Sequence, residues 1–271
     1  MDDQLAGLRT AAGIPTTMPK LAALAVTGGK GGVGKTCVAV NLAVACVKHG
    51  LRVLLVDLDL GLANADVLLG VDPAKSLHDV IIHGADPGSV ICKTPSGVDL
   101  VPAASGREDL TALTENQHLK LFSHIQRLSA GYDLCILDTA AGIGGTVMAA
   151  LRAARAVLVV LTPDPTSMTD AYAQIKVLES KDPGHDLRVV VNQSGSHAEG
   201  VEVFNRLRKV AKAYLKRDLS LIGQIPRDRA VTDAVRSRRP FAGGDSNGPA
   251  AQAMRQLAVR IKGERWNGAQ A

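Results

Sequence analysis

A glycine-rich segment near the start of the chain carries lysine and threonine at a spacing that suits phosphate binding. Residues 29–36 read Gly-Lys-Gly-Gly-Val-Gly-Lys-Thr and match the pattern G-x-x-x-x-G-K-S/T in full. In this pattern backbone N–H groups surround phosphate oxygens, Lys35 reaches the β- and γ-phosphates, and the Thr36 hydroxyl holds Mg²⁺. The residues expected to contact a nucleotide here are Gly29, Gly31, Gly32, Val33, Gly34, Lys35, Thr36 and Cys37.

Acidic residues follow two later apolar runs, at the sheet edge where ligands bind in α/β folds. Asp57 and Asp59 end one run, and Asp138 ends another. The first two can serve a metal ion and an attacking water, whereas Asp138 fits the Walker B arrangement, which holds Mg²⁺ through water. Gly142 follows closely enough to bring a backbone N–H to the γ-phosphate. Each acid alone is equally compatible with a simple cap, but their order after the phosphate loop predicts a nucleotide site.

Two residues after the last predicted strands have the chemistry to contact a base. Asn192 follows an apolar run, and its side-chain amide can pair with the edge of adenine. Pro226 ends the final run and can form a wall beside the base. We therefore expect Asn192 and Pro226 to line the adenine side of the site.

Short apolar runs alternate with helical segments from residue 21 onward. The predicted strands are residues 21–27, 53–56, 98–101, 134–137, 157–161, 187–191 and 219–225. The predicted helices are residues 37–49, 63–69, 77–83, 115–130, 146–155, 166–179, 201–215, 228–237 and 249–262. This alternation predicts an α/β protein with a single doubly wound, mainly parallel sheet. Residues 20–271 are expected to form one domain with a basic C-terminal helix, preceded by a flexible tail, residues 1–19.

Composition agrees with a buried parallel sheet and indicates a cytoplasmic protein. Hydrophobic residues make up 46% of the chain and aromatic residues 3%, so the core must consist of aliphatic side chains. The four cysteines form no C-x-x-C pair, which favours reduced thiols and argues against an iron–sulfur carrier. No membrane-spanning run or signal peptide is evident.

Charge is distributed unevenly along the chain. Residues 201–271 contain 15 Lys and Arg against 6 Asp and Glu, a balance of +9, whereas residues 1–200 have a balance of −4. A basic C-terminal segment of this kind is equally compatible with a solvated face and with weak contact to DNA or membrane.

The second lysine of the loop, Lys30, gives the segment 30–36 the form Lys-Gly-Gly-Val-Gly-Lys-Thr. This form resembles the deviant Walker A motif of the MinD/ParA ATPases, and the resemblance extends over about residues 20–262. It implies ATP and Mg²⁺ as cofactors and an ATP-dependent homodimer in which Lys30 reaches the partner's nucleotide. It also implies that Asp59 positions the hydrolytic water, that Asp57 supports the metal shell, and that Asp170 is an interface acid. Asp170 is nearly as well explained as an aspartate in the first turn of a helix, where the helix dipole favours negative charge.

Two further motifs resemble the flagellar number regulators of the FlhG/FleN group. One comprises residues 61–70 together with residues 138–143. The other lies in the tail, where Asp3, Gln4, Leu8 and Arg9 match the D-Q-x-x-x-L-R motif that activates an FlhF-type GTPase, a GTPase of the signal-recognition type. The resemblance implies a switch that regulates flagellar number or placement through FlhF, and a flagellar transcription activator is a further candidate partner.

Alternative functions stay open at this point. One is a ParA-like partition ATPase that binds DNA without sequence preference, and another is a non-catalytic adaptor locked by nucleotide. Relatives of the MinD type usually end in a membrane-targeting helix. The apolar face of residues 249–262 here is that of a core helix. Two alternatives therefore stay open: transient membrane or cell-pole contact through Trp266 and the basic residues 201–271, or no membrane contact.

Overall fold

Eight strands form one sheet in the order β3-β4-β2-β5-β1-β6-β7-β8. This computed structural model describes residues 17–104, 113–243, 246–264 and 266. The strands are β1 (Leu21–Thr27), β2 (Val53–Leu58), β3 (Cys92–Lys93), β4 (Asp99–Val101), β5 (Leu134–Thr139), β6 (Ala154–Leu161), β7 (Asp186–Ser194) and β8 (Ser220–Pro226). All paired strands run parallel except β3, which is antiparallel to β4. The carboxyl ends of the parallel strands therefore meet at one edge of the sheet.

Helices cover both faces of this sheet. They are α1 (Lys35–Lys48), α2 (Ala65–Leu69), α3 (Leu77–Ile81), α4 (Glu115–Ser129), α5 (Gly145–Ala153), α6 (Pro165–Lys181), α7 (His197–Val210), α8 (Arg229–Arg236) and α9 (Pro249–Lys262). A short 3₁₀ turn, Pro87–Val90, precedes β3, and a π turn, Ala211–Leu215, extends α7.

Two separate apolar cores result from the alternation of side chains along the strands. Ala23 and Ala25 of β1 belong to the core under α4, α5, α6 and α7. Leu24 and Val26 of the same strand belong to the core under α1 and α9. Because successive side chains of a strand point to opposite faces, one unbroken apolar run can supply both layers. The structure thus confirms the predicted α/β class and doubly wound sheet.

The boundaries differ from the predicted ones where local context overrides the apolar pattern. α7 begins at His197, because Ser196 caps it by accepting the N–H of Glu199, and its last turn is π rather than α. β3 was not predicted, since two residues are too short for a periodic signal.

The C-terminal helix packs as a core helix, as its apolar face predicted. Met254, Leu257 and Ile261 of α9 are fully buried against α1 and β8. Trp266 is also buried, with 3% of its surface exposed, and its indole N–H donates to the carbonyl of Ile261. Trp266 therefore does not offer the membrane contact that the sequence left open, because the ring belongs to the core. Within the described residues, no helix combines the length and hydropathy needed to cross a membrane.

Candidate functional site

The phosphate loop connects β1 to α1 and is shaped by close backbone contacts. A side chain at Gly29 would place its Cβ 2.3 Å from the carbonyl oxygen of Asp170 in α6, so only glycine fits there. Gly34 has a left-handed backbone (φ 89°), and a Cβ there would lie 2.5 Å from the amide nitrogen of Asn192. The loop is therefore held between α6 on one side and the end of β7 on the other.

The N-terminus of α1 is left open by its sequence. Gly34 provides no side-chain cap, and the first turn contains no acidic residue. The free N–H groups and the positive end of the helix dipole therefore face the loop, an arrangement that binds anions. The predicted contacts at Lys35, Thr36 and Cys37 all lie in this first turn.

The acidic residues meet because β2 and β5 are neighbours. Asp57 and Asp138 are paired in register, at the carboxyl ends of the two strands. Asp138 is fully buried, and neither of its carboxylate oxygens has a hydrogen-bonding partner of normal geometry among the described residues. Burial and the nearby Asp57 raise the pKa of Asp138 well above its ordinary value, against the opposing effects of the Thr36 hydroxyl and Lys35. An unpartnered buried carboxylate beside a threonine hydroxyl is a donor set that suits Mg²⁺.

Asp57 and Asp59 have different environments although they are two residues apart. Asp57 accepts three backbone N–H groups, from Asp59 (2.9 Å), Asn64 (3.3 Å) and Ala65 (3.2 Å), and thereby fixes the start of α2. Burial nevertheless raises its pKa to about 7. Asp59 is half-buried, and one of its oxygens accepts the N–H of Leu62 at 3.1 Å. Asp57 is therefore fixed by the backbone, whereas Asp59 retains an oxygen for another partner.

The two lysines of the loop are held differently. Lys35 is buried, which lowers its pKa, while the carboxylates of Asp138 and Asp59 act in the opposite direction. Its ammonium therefore lies in the field of the acidic residues. Lys30 instead forms an ion pair with Asp164 (2.7 Å) and contacts the hydroxyl of Thr166 (2.6 Å) at the start of α6.

A cleft of about 910 Å³ opens beside the loop and brings the predicted base contacts together. Its lining includes Gly34, Cys37, Asn192 and Pro226. Asn192 donates its side-chain amide to the carbonyl of Val33 (2.9 Å) and accepts the N–H of Gln193 (3.0 Å). Asn192 therefore supports the phosphate loop as well as facing the cleft, a role that the sequence did not indicate.

Gly142 and Asp170 also lie at the loop. The N–H of Gly142 donates to the carbonyl of Gly28 over a long 3.4 Å, and its own carbonyl accepts the side-chain amide of Gln174 at 2.6 Å. Asp170 contacts the loop through its backbone, opposite Gly29. The tail residues Asp3, Gln4, Leu8 and Arg9 lie outside the described residues.

Sequence reasoning missed Asp164 and Gln174. Asp164 caps α6 by accepting the N–H of Thr166, and an aspartate before a proline at the start of a helix is a signal that would have found this cap. Its pairing with Lys30 and the contact of Gln174 with Gly142 span more than 30 residues of sequence. No local pattern encodes such contacts.

Known proteins resemble this chain over most of its length. A family model described as an AAA domain matches residues 21–181. The antiactivator FleN of Pseudomonas aeruginosa is 42% identical over 245 residues, which cover 90% of this chain and 88% of FleN. The flagellum site-determining protein YlxH of Helicobacter pylori is 37% identical over 218 residues, which cover 80% of this chain and 73% of YlxH.

A solved structure matches as well. The septum site-determining protein MinD of Pyrococcus horikoshii, complexed with Mg-ADP, has a TM-score of 0.74 and 28% identity. The match covers 90% of this chain and 96% of that one. With a complete phosphate loop, an Asp138 at the end of β5 and relatives of this identity and coverage, the chain belongs to the MinD/ParA family of P-loop ATPases, close to FleN and YlxH.

Proposed function

We propose that this chain is an ATP-dependent switch that regulates the number or placement of flagella. FleN is named as an antiactivator and YlxH as a flagellum site-determining protein, and both resemble this chain over most of its length. The observation that carries the ATP-dependent part of the proposal is the assembly of Lys35, Thr36, Asp59 and Asp138 around one open helix terminus, whereas the flagellar part rests on the similarity to FleN and YlxH. In such a switch, hydrolysis acts as a timer that ends a partner-binding state.

ATP and Mg²⁺ are the cofactors of this site. Thr36 and Asp138 would hold Mg²⁺, which would neutralise phosphate charge, and Asp57 would support that shell by fixing the adjoining backbone. Lys35 binds the β- and γ-phosphates, and Asp59 orients the attacking water through its free oxygen. Asn192 and Pro226 contact the base, so Asn192→Ala is expected to weaken ATP binding and its preference over GTP.

A second copy of the chain completes the site in this proposal. Lys30 leaves Asp164 and reaches the nucleotide of the partner copy, and Asp170 lies at the same interface. Leu62 (73% exposed) and Ile143 (54% exposed) offer apolar contacts on the loops after β2 and β5. Each lies four residues beyond the end of its strand, and the two strand ends are paired with each other. Burial of these two side chains by a second copy would add hydrophobic stabilisation to the proposed interface.

The dimer has a direct test. With ATP, an Asp59→Ala protein should be a dimer by light scattering, whereas the wild type with ADP should be a monomer. Lys30→Ala should lose the dimer but keep nucleotide binding. A monomeric Asp59→Ala protein in saturating ATP would contradict the proposed interface.

The partner is proposed to be an FlhF-type GTPase bound by the tail motif Asp3, Gln4, Leu8 and Arg9. A peptide of residues 1–19 should stimulate that GTPase without the ATPase domain. Gln4→Ala and Arg9→Ala should remove the stimulation and leave ATP hydrolysis by the full chain unchanged. If a chain lacking residues 2–10 still stimulates the GTPase, the tail is not the activating segment. A flagellar transcription activator is a second candidate partner, because FleN is an antiactivator.

A partition-type function that binds DNA is the alternative, and one surface favours it. α8 has no buried residue, and exposed arginines lie on and beside it. They are Arg227, Arg229, Arg236, Arg238 and Arg239. Retention of DNA at low salt, abolished by Arg236→Glu with Arg239→Glu, would support this function. Retention of acidic liposomes instead would support transient contact with the inner face of the cytoplasmic membrane or the cell pole.

The flagellar proposal is tested in cells. A P. aeruginosa strain without FleN should regain its parental flagellar number when it expresses this chain, and Lys35→Ala should not restore it. Equal complementation by wild type and Asp59→Ala would support a non-catalytic adaptor locked by nucleotide. No complementation by the wild type would contradict the flagellar role.

A further inference from the structure

A buried polar junction lies behind the phosphate loop, where three elements meet. It consists of Thr27 at the end of β1, Thr139 at the end of β5 and Gln174 in α6, and each of the three is at most 1% exposed. The hydroxyl groups of Thr27 and Thr139 are 2.9 Å apart, and the amide nitrogen of Gln174 lies 3.0 Å from the Thr27 hydroxyl. Buried polar groups of this kind hold the elements that carry them in fixed positions.

Gln174 also reaches out of the junction to the loop that follows Asp138. Its amide nitrogen donates to the carbonyl of Gly142 at 2.6 Å, while the N–H of Gly142 makes only a 3.4 Å contact with Gly28. The Gly142 carbonyl is therefore held firmly and its N–H weakly, since 3.4 Å lies beyond the usual range for N–H···O bonds. This N–H is free to exchange Gly28 for a phosphate oxygen without release of the carbonyl.

The other end of the Gln174 amide is unsatisfied. Its oxygen is buried and has no hydrogen-bonding partner among the described residues. Buried amide oxygens are nearly always paired, so this oxygen can accept a hydrogen bond from a protein donor that a small movement of α6 or of the loop after Asp138 brings into reach. The side-chain amide of Gln174 thus donates hydrogen bonds but accepts none from the described residues.

The same face of α6 follows the phosphate loop for two turns. Thr166, Asp170 and Gln174 are spaced four residues apart, and each contacts the loop or the strand that leads into it. Thr166 contacts Lys30, the backbone of Asp170 packs on Gly29, and Gln174 joins Thr27 to Gly142. A shift of α6 therefore acts on the loop lysine and on Gly142 together.

We propose that Gln174 is a positioning residue for ATP hydrolysis: through Gly142 it fixes the loop after Asp138 against the phosphate loop and couples α6 to the reaction. The inference rests on the proposed contact of Gly142 with the γ-phosphate. Gln174 itself touches neither nucleotide nor water, so its loss should slow the reaction and leave nucleotide affinity unchanged.

The test compares two substitutions at neighbouring buried positions of α6. Gln174→Met keeps the length of the side chain but removes both donated hydrogen bonds, and Ile175→Val trims the adjacent buried side chain without touching the junction. Single-turnover hydrolysis and binding of a fluorescent ATP analogue are measured in the full chain, with Tm for each variant.

Gln174→Met should lower the rate of hydrolysis about tenfold or more, with analogue affinity within about twofold of wild type. Ile175→Val should show a comparable fall in Tm and an unchanged rate. Hydrogen exchange in residues 140–145 should be faster in Gln174→Met alone, a readout that a loss of packing would not give.

Three outcomes would overturn the inference. The first is an unchanged hydrolysis rate in Gln174→Met. The second is a loss of analogue affinity in Gln174→Met that equals its loss of hydrolysis rate. The third is an equal fall in hydrolysis rate in Gln174→Met and Ile175→Val. A wild-type chain without Mg²⁺-dependent hydrolysis would contradict the proposed function itself, whereas a hydrolysing wild type with an equally fast Gln174→Met contradicts the positioning role alone.

Discussion

At the residue scale, function depends on which partner each charged side chain has before nucleotide arrives. Lys30 is paired with Asp164 of its own chain, and both side chains are partly exposed. Lys35 is buried and surrounded by carboxylates instead. Lys30 can therefore change its ion-pair partner without exposing a buried side chain, whereas Lys35 is fixed at the phosphate loop.

Substitutions in the catalytic set should separate binding from chemistry. Lys35→Ala should abolish nucleotide binding, because the backbone loop alone leaves the β- and γ-phosphate charge uncompensated. Asp59→Ala should keep ATP binding but slow turnover by about 10²-fold or more, the effect of a lost positioning or proton-transfer group. Fluorescent-analogue binding and ATPase rates measure the two effects. Equal rates for wild type and Asp59→Ala would show that another carboxylate orients the water.

The Lys30–Asp164 pair should oppose dimerisation. Asp164→Asn keeps an oxygen that caps α6 but removes the charge that holds Lys30. We expect the dimer dissociation constant in ATP to fall about two- to fivefold, a range that fits an exposed ion pair. Analytical ultracentrifugation measures it. Combination with Lys30→Ala is the control, since a protein without this lysine should stay monomeric in ATP whether or not Asp164 is replaced.

At the element scale, the C-terminal segment stabilises the layer formed by α1 and α9. The Trp266 ring is buried, and the guanidinium groups of Arg155 and Arg188 lie 5.8 Å and 5.6 Å from its centre. Its indole N–H closes the last turn of α9. Trp266 therefore stabilises the C-terminal end of α9 through its buried ring and its hydrogen bond.

Trp266→Ala should destabilise the fold by about 3–5 kcal/mol, because it removes a large buried ring. Val259→Ala, on the exposed side of the same helix, should change the free energy of unfolding by less than about 0.5 kcal/mol. Urea denaturation measures both. If Trp266→Ala unfolds at the wild-type urea concentration and loses liposome binding instead, the ring contacts lipid and is not a core residue.

At the scale of the whole molecule, the site makes the fold sensitive to pH. Burial raises the pKa of Asp57 to about 7 and that of Asp138 well above its ordinary value, whereas both carboxyls have pKa values near 4 in an unfolded chain. Between these values the folded protein binds more protons than the unfolded one, so its stability falls as pH rises. Exposed acids with lowered pKa values, such as Asp164, contribute stability that is constant above about pH 4 and is lost only as pH falls toward about 2, so they do not affect the slope at neutral pH.

Asp138→Asn should therefore flatten the dependence of Tm on pH. Without nucleotide, the wild-type Tm should fall more steeply between pH 5.5 and 8 than that of Asp138→Asn, by about 5 °C or more. Burial lowers the pKa values of His118 and His124, which act in the opposite direction, but they are present in both proteins and cancel in the difference. Mg²⁺ with ATP should reduce the wild-type slope alone. Parallel profiles in differential scanning calorimetry would contradict the raised pKa.

The sequence by itself determined the class of the fold and the main groups of the site. Unbroken apolar runs alternating with helices can be buried only in a parallel sheet covered on both faces, and such a sheet places residues that follow its strands at one edge. The position of the glycine loop, Lys35, Thr36, Asp59 and Asp138 at that edge could therefore be predicted without coordinates, and their roles in ATP hydrolysis stay predictions. Their chemistry is local, because each depends on residue type and position relative to one strand.

Only the tertiary structure decided which of these groups act on one another. Pairing of Lys30 with Asp164, support of the phosphate loop by Asn192 and the junction at Gln174 join elements far apart in sequence. Trp266 looked like a surface residue because its burial depends on packing below β1 and β6 rather than on neighbours in the chain. A periodic pattern reports which face of an element is buried, but the partner of a polar group is set by the packing of whole elements.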